Sequence, residues 1–362
     1  MDGVKTTNIR GVGILIYENV GMLNGKEILI TGGTGSLGKQ LLKLLLTEHK
    51  PKGIRILSRD ELKQWQVRND FKALLTAPEA PPVSFLIGDV RDPKRMHRAC
   101  RGVDILIHAA AMKQVPACED NPLEAIKTNV DGAVNVLNAA IDCGVGRVMN
   151  VSTDKAVKPV NLYGATKMAA EKLIVDGNVY AAGHGTILSS CRYGNVLGSR
   201  GSVAHVFREQ ADKGLPITIT HNAMTRFWVS LPTVARFLLS RIELMRGGEI
   251  FVPKMKSMSV RDMAIAMIDP LDSGSGWLIH RVSQKPVEFV TTGIRQGEKL
   301  HECLFPEEDY VYEYEDHYRV FASRNLACEQ EIGAAKQWEF NSGRNPNGEL
   351  TADELRAMLA EV

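Results

Sequence analysis

The 362-residue chain has little of several things that would name a class outright. Its six cysteines, Cys100, Cys118, Cys143, Cys191, Cys303 and Cys328, are widely spaced with no C-x-x-C pair. That spacing excludes a small disulfide scaffold and a zinc ribbon, leaves no metal site, and fits idle thiols at an intracellular, cytoplasmic address. No apolar run approaches the roughly 18 residues that a spanning helix needs. The early run Gly11–Tyr17 is ended by Glu18 and Asn19 and lacks a small-residue cleavage site, so it is a poor signal peptide. Charge of one sign is also missing. With 44 Lys+Arg against 42 Asp+Glu the net charge is +2, so no nucleic-acid or polybasic membrane surface is expected. There is no internal repeat and no low-complexity tract. A soluble enzyme or binding protein of two domains remains.

What is present is a regular alternation. Short apolar runs at Ile28–Thr31, Ile54–Ser58, Val83–Ile87, Ile105–His108, Val148–Ser152 and Thr186–Cys191 alternate with helical patterns. Those patterns are Gly38–His49, Glu61–Leu75, Pro93–Ala99, Leu123–Cys143 and Tyr163–Ala182. Such alternation predicts an α/β fold, a Rossmann-like doubly wound parallel sheet covered on both faces. It fades after about residue 190, so a smaller α/β C-terminal substrate-binding domain is expected over 191–362, interleaved with a dinucleotide domain over 22–190. Residues 1–21 show no convincing periodicity and read as an appendage, or as sequence ahead of a start at Met22. Tyr310, Tyr312 and Tyr314 alternate as on a core-facing strand of the second domain. Thr351-Ala352-Asp353-Glu354 reads as a capping box opening a last helix.

The glycine spacing Gly32-x-x-Gly35-x-x-Gly38 falls at the first strand–helix junction, in Thr31-Gly32-Gly33-Thr34-Gly35-Ser36-Leu37-Gly38. There the backbone turns tightly and a pyrophosphate meets free N–H groups at the helix start. The second strand ends in Ser58-Arg59-Asp60, and a hydroxyl with a guanidinium favours a 2′-phosphate and hence NADP, while Asp60 keeps NAD open. Asp89 and Val90 end the third strand, where Asp89 suits the adenine amine. The small Ala109 and its neighbours leave room for the cofactor after the fourth.

The fifth strand leads into Ser152-Thr153-Asp154-Lys155, and eight residues later comes Tyr163-Gly164-Ala165-Thr166-Lys167. Tyr163 and Lys167 share a helical face, where the ammonium is expected to lower the phenol pKa and make it a base for an alcohol. Taken alone, Asp154-Lys155 is the kind of dipeptide that forms an exposed ion pair.

Together these residues resemble the extended short-chain dehydrogenase/reductase family. The stretches Thr31–Lys39, Ser58–Lys63, Gly88–Asp92, His108–Pro116, Ser152–Lys167, Arg192–Val203 and Thr225–Trp228 are most similar to its 5-inverting UDP-N-acetylglucosamine 4,6-dehydratases, which begin pseudaminic acid biosynthesis. Retaining dehydratases carry Thr-Asp-Glu where this chain has Thr153-Asp154-Lys155, and a capsule-type inverting branch lacks the tyrosine present here as Tyr163.

The resemblance implies a mechanism. Tyr163 deprotonates the sugar C4 hydroxyl as hydride passes to tightly held NADP⁺, a neutral Lys155 removes the C5 proton, and a protonated Asp154 assists departure of the C6 hydroxyl. Lys155 must then be depressed by burial and nearby positive charge. Thr153 belongs to the same catalytic set. For the substrate, UDP-N-acetylglucosamine, the resemblance implies contacts from Lys113, Thr153, Asp154, Asn195 and Val203. It also places Val196 and Arg200 along the cofactor. Arg295 and Glu298 suit the uridine diphosphate end, since arginine matches pyrophosphate bidentately. Thr225 and Arg226 match the family without a role that physics supplies. A homo-oligomer, dimer or hexamer, is implied, associating through the two long helices. The competing readings are a 4-epimerase or a retaining dehydratase, an alcohol dehydrogenase, and a non-catalytic dinucleotide sensor, which would not need Tyr163 with Lys167.

Overall fold

The computed structural model describes residues 4–9, 12–17, 21–198, 203–268, 271–272, 278–279, 286–321 and 335–361. Its main sheet has nine strands. From one edge they run Tyr310–Glu313, His317–Phe321, Ile250–Pro253, Ile187–Cys191, Arg147–Val151, Ile105–His108, Glu27–Thr31, Gly53–Ser58 and Val83–Ile87. The seven from Ile250–Pro253 to Val83–Ile87 are parallel, and the two at the far edge are antiparallel additions.

Strand alternation divides the core in two. Ile28, Ile30, Ile54, Ile56, Ile105 and Ile107 face helices Ser36–Thr47 and Leu231–Leu244. Leu29, Leu57, Leu106, Val148 and Leu188 face helices Pro93–Cys100 and Gly132–Asp142. A sheet covered on both faces must be apolar on both, which is why these strands read as continuous hydrophobic runs. Strand order reverses on either side of Glu27–Thr31, so a crevice opens outside the carboxyl ends of Glu27–Thr31 and Ile105–His108.

A second lobe is built on the three-stranded sheet Lys256–Ser259, Thr225–Ser230 and Asn195–Leu197. Helices Val203–Asp212, Val260–Ile268 and Ala352–Ala360 pack around it with their own core of Phe207, Trp228, Met263 and Leu355. The capping box forms as the sequence predicts, with Thr351 and Glu354 bonding reciprocally.

Three elements differ from the sequence reading. Residues 4–9 and 12–17 pair as an antiparallel hairpin where no periodicity was visible. The tyrosine strand closes the main sheet rather than the second lobe, because it pairs with His317–Phe321. On it Tyr312 packs against Phe321, while Tyr314 lies past the strand and stacks on His317 at 4.6 Å. The long helix expected over Leu123–Cys143 is split into Pro122–Ile126, a π-turn at Lys127–Asp131, and Gly132–Asp142. Among the described residues no helix is long and apolar enough to cross a membrane.

Candidate active site

Every loop singled out in the sequence up to residue 161 leaves the carboxyl end of a parallel strand, so all meet at one edge of the sheet. The glycine loop fits a dinucleotide pyrophosphate. Gly32 has φ +68°, and a Cβ there would lie 2.7 Å from the Ala110 nitrogen. A Cβ on Gly38 would meet the Gly33 Cα at 2.5 Å, so the helix start can pack on the turn only as glycine. Helix Ser36–Thr47 begins at Gly35 with no side-chain cap and no acidic residue in its first turn, which leaves its N–H groups to an anion. Thr34 is buried in the loop and Leu37 packs on the core.

The adenosine side is tightly bonded. Gln64 donates to the Ser58 carbonyl (3.2 Å), to Ser58 Oγ (3.0 Å) and to the Leu86 carbonyl (2.9 Å), tying the second and third strand ends together. Asp60 caps its helix by accepting from the Lys63 N–H at 2.9 Å and also pairs with the Lys63 ammonium. Arg59 projects into solvent with Nη1 3.7 Å from Asp89. Burial works against the Asp89 carboxylate, but the Arg91 hydrogen bonds win and hold its pKa below the ordinary value. Val90 is buried, and its carbonyl accepts from Asn135 at 3.0 Å. Ala109 follows the fourth strand and donates its N–H to the Thr31 carbonyl.

The loop that carries the candidate catalytic residues lies between the fifth strand and helix Leu162–Asp176. Asp154 is fully buried, and its N–H donates to the Tyr193 carbonyl at 2.9 Å. Its Oδ1 accepts from Thr153 Oγ1 (2.9 Å) and from Lys155 Nζ (3.0 Å). Gly164 permits this arrangement, because a Cβ there would strike the Lys155 carbonyl at 2.3 Å. Lys158 closes the loop with φ +43°, a left-handed conformation costly for a residue with a side chain. Asn161 caps the helix by accepting from the Gly164 N–H at 2.7 Å and donates to the Gly297 carbonyl at 2.7 Å. That second bond docks the Gly293–Lys299 segment on the mouth of the site.

The charge states differ from the sequence reading at two residues. Burial alone would discharge Lys155, but Asp154 and a second carboxylate, Glu302 at 3.4 Å, outweigh it and raise its pKa above the ordinary value. In the free protein Lys155 is therefore an ammonium. Tyr163 is buried, and burial pushes its phenol up to about 12 even with Lys155 and Thr153 acting to lower it. Lys167 does not supply the expected lowering directly, since its Nζ donates to the Val151 carbonyl at 2.7 Å. Burial brings Lys167 down to about 8. Burial also raises Asp154, which favours the protonated acid expected of it.

The remaining predicted contacts come from other elements. Asn195 and Val196 start the strand entering the second lobe, and the Asn195 Oδ1 is buried without a hydrogen-bond partner. Val203 opens helix Val203–Asp212. Arg200 lies outside the described residues. Lys113 sits on the exposed loop after the fourth strand. Arg295 is exposed, and Glu298 lies 3.7 Å from Arg226. Arg226, left without a role by the sequence, clamps this segment by donating to the carbonyls of Thr225, Lys299 and Leu300.

Compared with known families, residues 28–324 match the model described as "Polysaccharide biosynthesis protein". The chain belongs to that family. It is thereby a member of the extended short-chain dehydrogenases/reductases. Within the family, an inverting UDP-N-acetylglucosamine 4,6-dehydratase of Campylobacter jejuni is 47% identical over 85% of this chain and 86% of its own length. A UDP-glucose 4-epimerase of Rickettsia canadensis is 41% identical over 83% of this chain and 84% of its own. The solved structure of Pen from Bacillus thuringiensis superposes with a TM-score of 0.81 at 33% identity, covering 94% of this chain and 98% of that one.

Four residues of this family member escaped the sequence reading. Gln64 and Glu302 act across strands and lobes. His108 bonds Thr31 Oγ1 through Nδ1 at 2.8 Å, and burial lowers its pKa to about 3, so a neutral imidazole lies near Lys167. Asn129 accepts from the Met112 N–H (2.8 Å) and donates to the Met112 carbonyl (2.9 Å) and Thr166 Oγ1 (3.0 Å). It sits in the π-turn, a distortion that recurs at functional sites and that the sequence pattern did not announce.

Proposed function

We propose that the protein is an NADP-dependent UDP-N-acetylglucosamine 4,6-dehydratase that inverts C5. The product is UDP-2-acetamido-2,6-dideoxy-β-L-arabino-hexos-4-ulose, suited to the start of pseudaminic acid biosynthesis. The observation that carries this reading is the buried Asp154–Lys155 pair beside the Tyr163 helix, an acid and a base that a 4-epimerase would not need. The Campylobacter relative, named for that activity, supports it over the Rickettsia epimerase.

The glycine loop, Ser58, Arg59, Asp89, Val90 and Ala109 would hold the dinucleotide, and a bound nicotinamide supplies the hydride acceptor for C4 and the donor for C6. Tyr163 takes the C4 hydroxyl proton, with the Lys155 charge and the Thr153 hydrogen bond lowering the cost of the phenolate. The resulting 4-ketone acidifies C5–H. Lys155, after its ammonium has released a proton to solvent, takes the C5 proton, and Asp154 gives its own to the departing C6 hydroxyl, which leaves as water. Return of a proton to the opposite face of C5 sets the inverted centre. Asn195, with its buried and unpaired Oδ1, is available to a substrate donor, and Lys113, Arg295 and Glu298 would contact the uridine diphosphate end. Assembly as a homo-oligomer through helices Pro122–Ile126 and Leu162–Asp176 is supported by exposed Leu123, Ile126 and Met168 on them.

Incubation with UDP-N-acetylglucosamine in D₂O, followed by proton NMR, tests the reading. A new C6 methyl, deuterium at C5 and the L-arabino configuration are expected, with no net change in nicotinamide absorbance. A product with the original C5 configuration overturns inversion, and a C4 epimer without a methyl selects the epimerase. Arg59 carries the NADP preference, since Asp60 is committed to its cap. Arg59→Ala should weaken NADP binding by about tenfold or more, the worth of a charge-assisted hydrogen bond, and leave NAD binding unchanged by calorimetric titration.

A further inference from the structure

Lys155 is held from two lobes. Asp154 reaches its Nζ from the same turn, and Glu302 approaches to 3.4 Å from the far side of the chain. Glu302 is 3% exposed and firmly placed. Its N–H donates to Ser342 Oγ at 2.9 Å, and its Oε2 lies 3.5 Å from Lys299 Nζ. Lys299 in turn donates to the Val157 carbonyl at 2.5 Å, on the loop that carries Lys155. The other charged or titratable groups facing Lys155 are Arg226, from strand Thr225–Ser230, and the Tyr163 phenol, from the catalytic helix.

Two carboxylates thus share one ammonium, and their surroundings differ. One oxygen of each, Asp154 Oδ2 and Glu302 Oε2, is buried without a hydrogen-bond partner, but Asp154 has no exposed surface and has Lys155 as its one ion-pair partner among the described residues. Glu302 has Lys155 and Lys299 within ion-pair distance, with Arg226 adding positive potential. The negative charge is therefore better placed on Glu302, and the proton on Asp154.

Resting on the dehydratase reading, we propose that Glu302 is a positioning residue for the C5 proton transfer: it anchors the Lys155 Nζ between the lobes and, by carrying the negative charge of the site, lets Asp154 keep the proton that the C6 hydroxyl needs. Nothing in the sequence pairs these positions, and an epimerase would have no use for the arrangement.

Removing the Glu302 charge takes an anion away from both Asp154 and Lys155, so both titrations move down together. The pH profile of kcat for Glu302→Gln should shift bodily to lower pH by about one unit or more, a tenfold change at a fixed pH on either limb. Glu302→Asp, which keeps the charge, should return the profile towards that of the wild type. Lys299→Met, which removes a cation beside Glu302, should move it the other way. A merely structural role would lower kcat at every pH without moving either limb, and that result overturns the proposal.

A second readout needs no turnover. In the full-length protein labelled with ¹³Cε-lysine, the Lys155 resonance of Glu302→Gln should titrate at least one unit below that of the wild type. An unmoved resonance overturns the proposal. If the wild type forms no C6 methyl, the dehydratase reading falls instead. Should Glu302→Gln not fold, Lys299→Met decides the matter: a shift of both limbs to higher pH supports the proposal, and an unmoved profile overturns it.

Discussion

Lys155→Ala abolishes measurable dehydration, with kcat lower by about a hundredfold to ten-thousandfold, the usual worth of a positioned general base. The variant should still fold and still bind the dinucleotide, because the glycine loop and the Ser58–Arg59 edge do not touch Lys155. Its fold is protected by the way the charges are arranged. Glu302 keeps Lys299 as a partner at 3.5 Å, and Asp154, raised by burial, is stable as a neutral acid once the ammonium is gone. Loss of turnover would therefore not reflect an uncompensated buried charge. The check is deuterium at C5 by NMR together with calorimetric dinucleotide affinity. Wild-type C5 exchange in Lys155→Ala would remove Lys155 from the role of base.

Arg192→Ala carries the largest expected loss of stability. Arg192 and Glu171 are both buried, joined by Nε to Oε2 at 3.0 Å and Nη2 to Oε1 at 2.5 Å. Arg192 Nη1 also donates to the Leu304 carbonyl at 2.6 Å. Removing the arginine leaves a carboxylate without its partner in the interior, a change that costs about 3–5 kcal/mol. The midpoint of urea unfolding should fall accordingly, and replacing both residues together with Met and Leu should recover much of the loss. Activity should fall too. Glu171 lies one turn past Lys167 on the catalytic helix, and Arg192 precedes Tyr193, whose carbonyl holds the Asp154 N–H. The pair thus clamps the helix that carries Tyr163 to the loop that carries Asp154. An unchanged midpoint for Arg192→Ala would show that the interior pair contributes little.

Much of the site was legible because its signals are local. Gly32, Gly35 and Gly38 have meaning through the turn they sit in, and the contacts of Gly35 with Gly32 and of Gly38 with Gly33 follow from local backbone geometry, whereas the contact of Gly32 with Ala110 does not. Tyr163 and Lys167 fall on one face because a helix repeats every 3.6 residues. The strands of the dinucleotide half announced themselves as apolar runs because both of their faces are covered.

What stayed hidden depends on residues far apart in the chain. No local pattern says that Ile250–Pro253, His317–Phe321 and Tyr310–Glu313 extend the main sheet, since strand pairing is a non-local choice. Asn129, in the π-turn, bonds the Met112 backbone 17 residues earlier, a pairing no local pattern announces.

By itself, then, the sequence determined the parallel α/β scaffold, the dinucleotide loop and the shared helical face of Tyr163 and Lys167, since periodicity and spacing dictate these; Thr153, Asp154 and Lys155 stood out only through the family resemblance. The tertiary structure alone decided their charge. The Lys155 ammonium is favoured in the free protein because folding holds Asp154 at 3.0 Å and brings Glu302 to 3.4 Å, and Tyr163 stays protonated because folding buries it. Protonation depends on desolvation and on charges a few ångströms away, and those distances exist only once the two lobes have closed on each other.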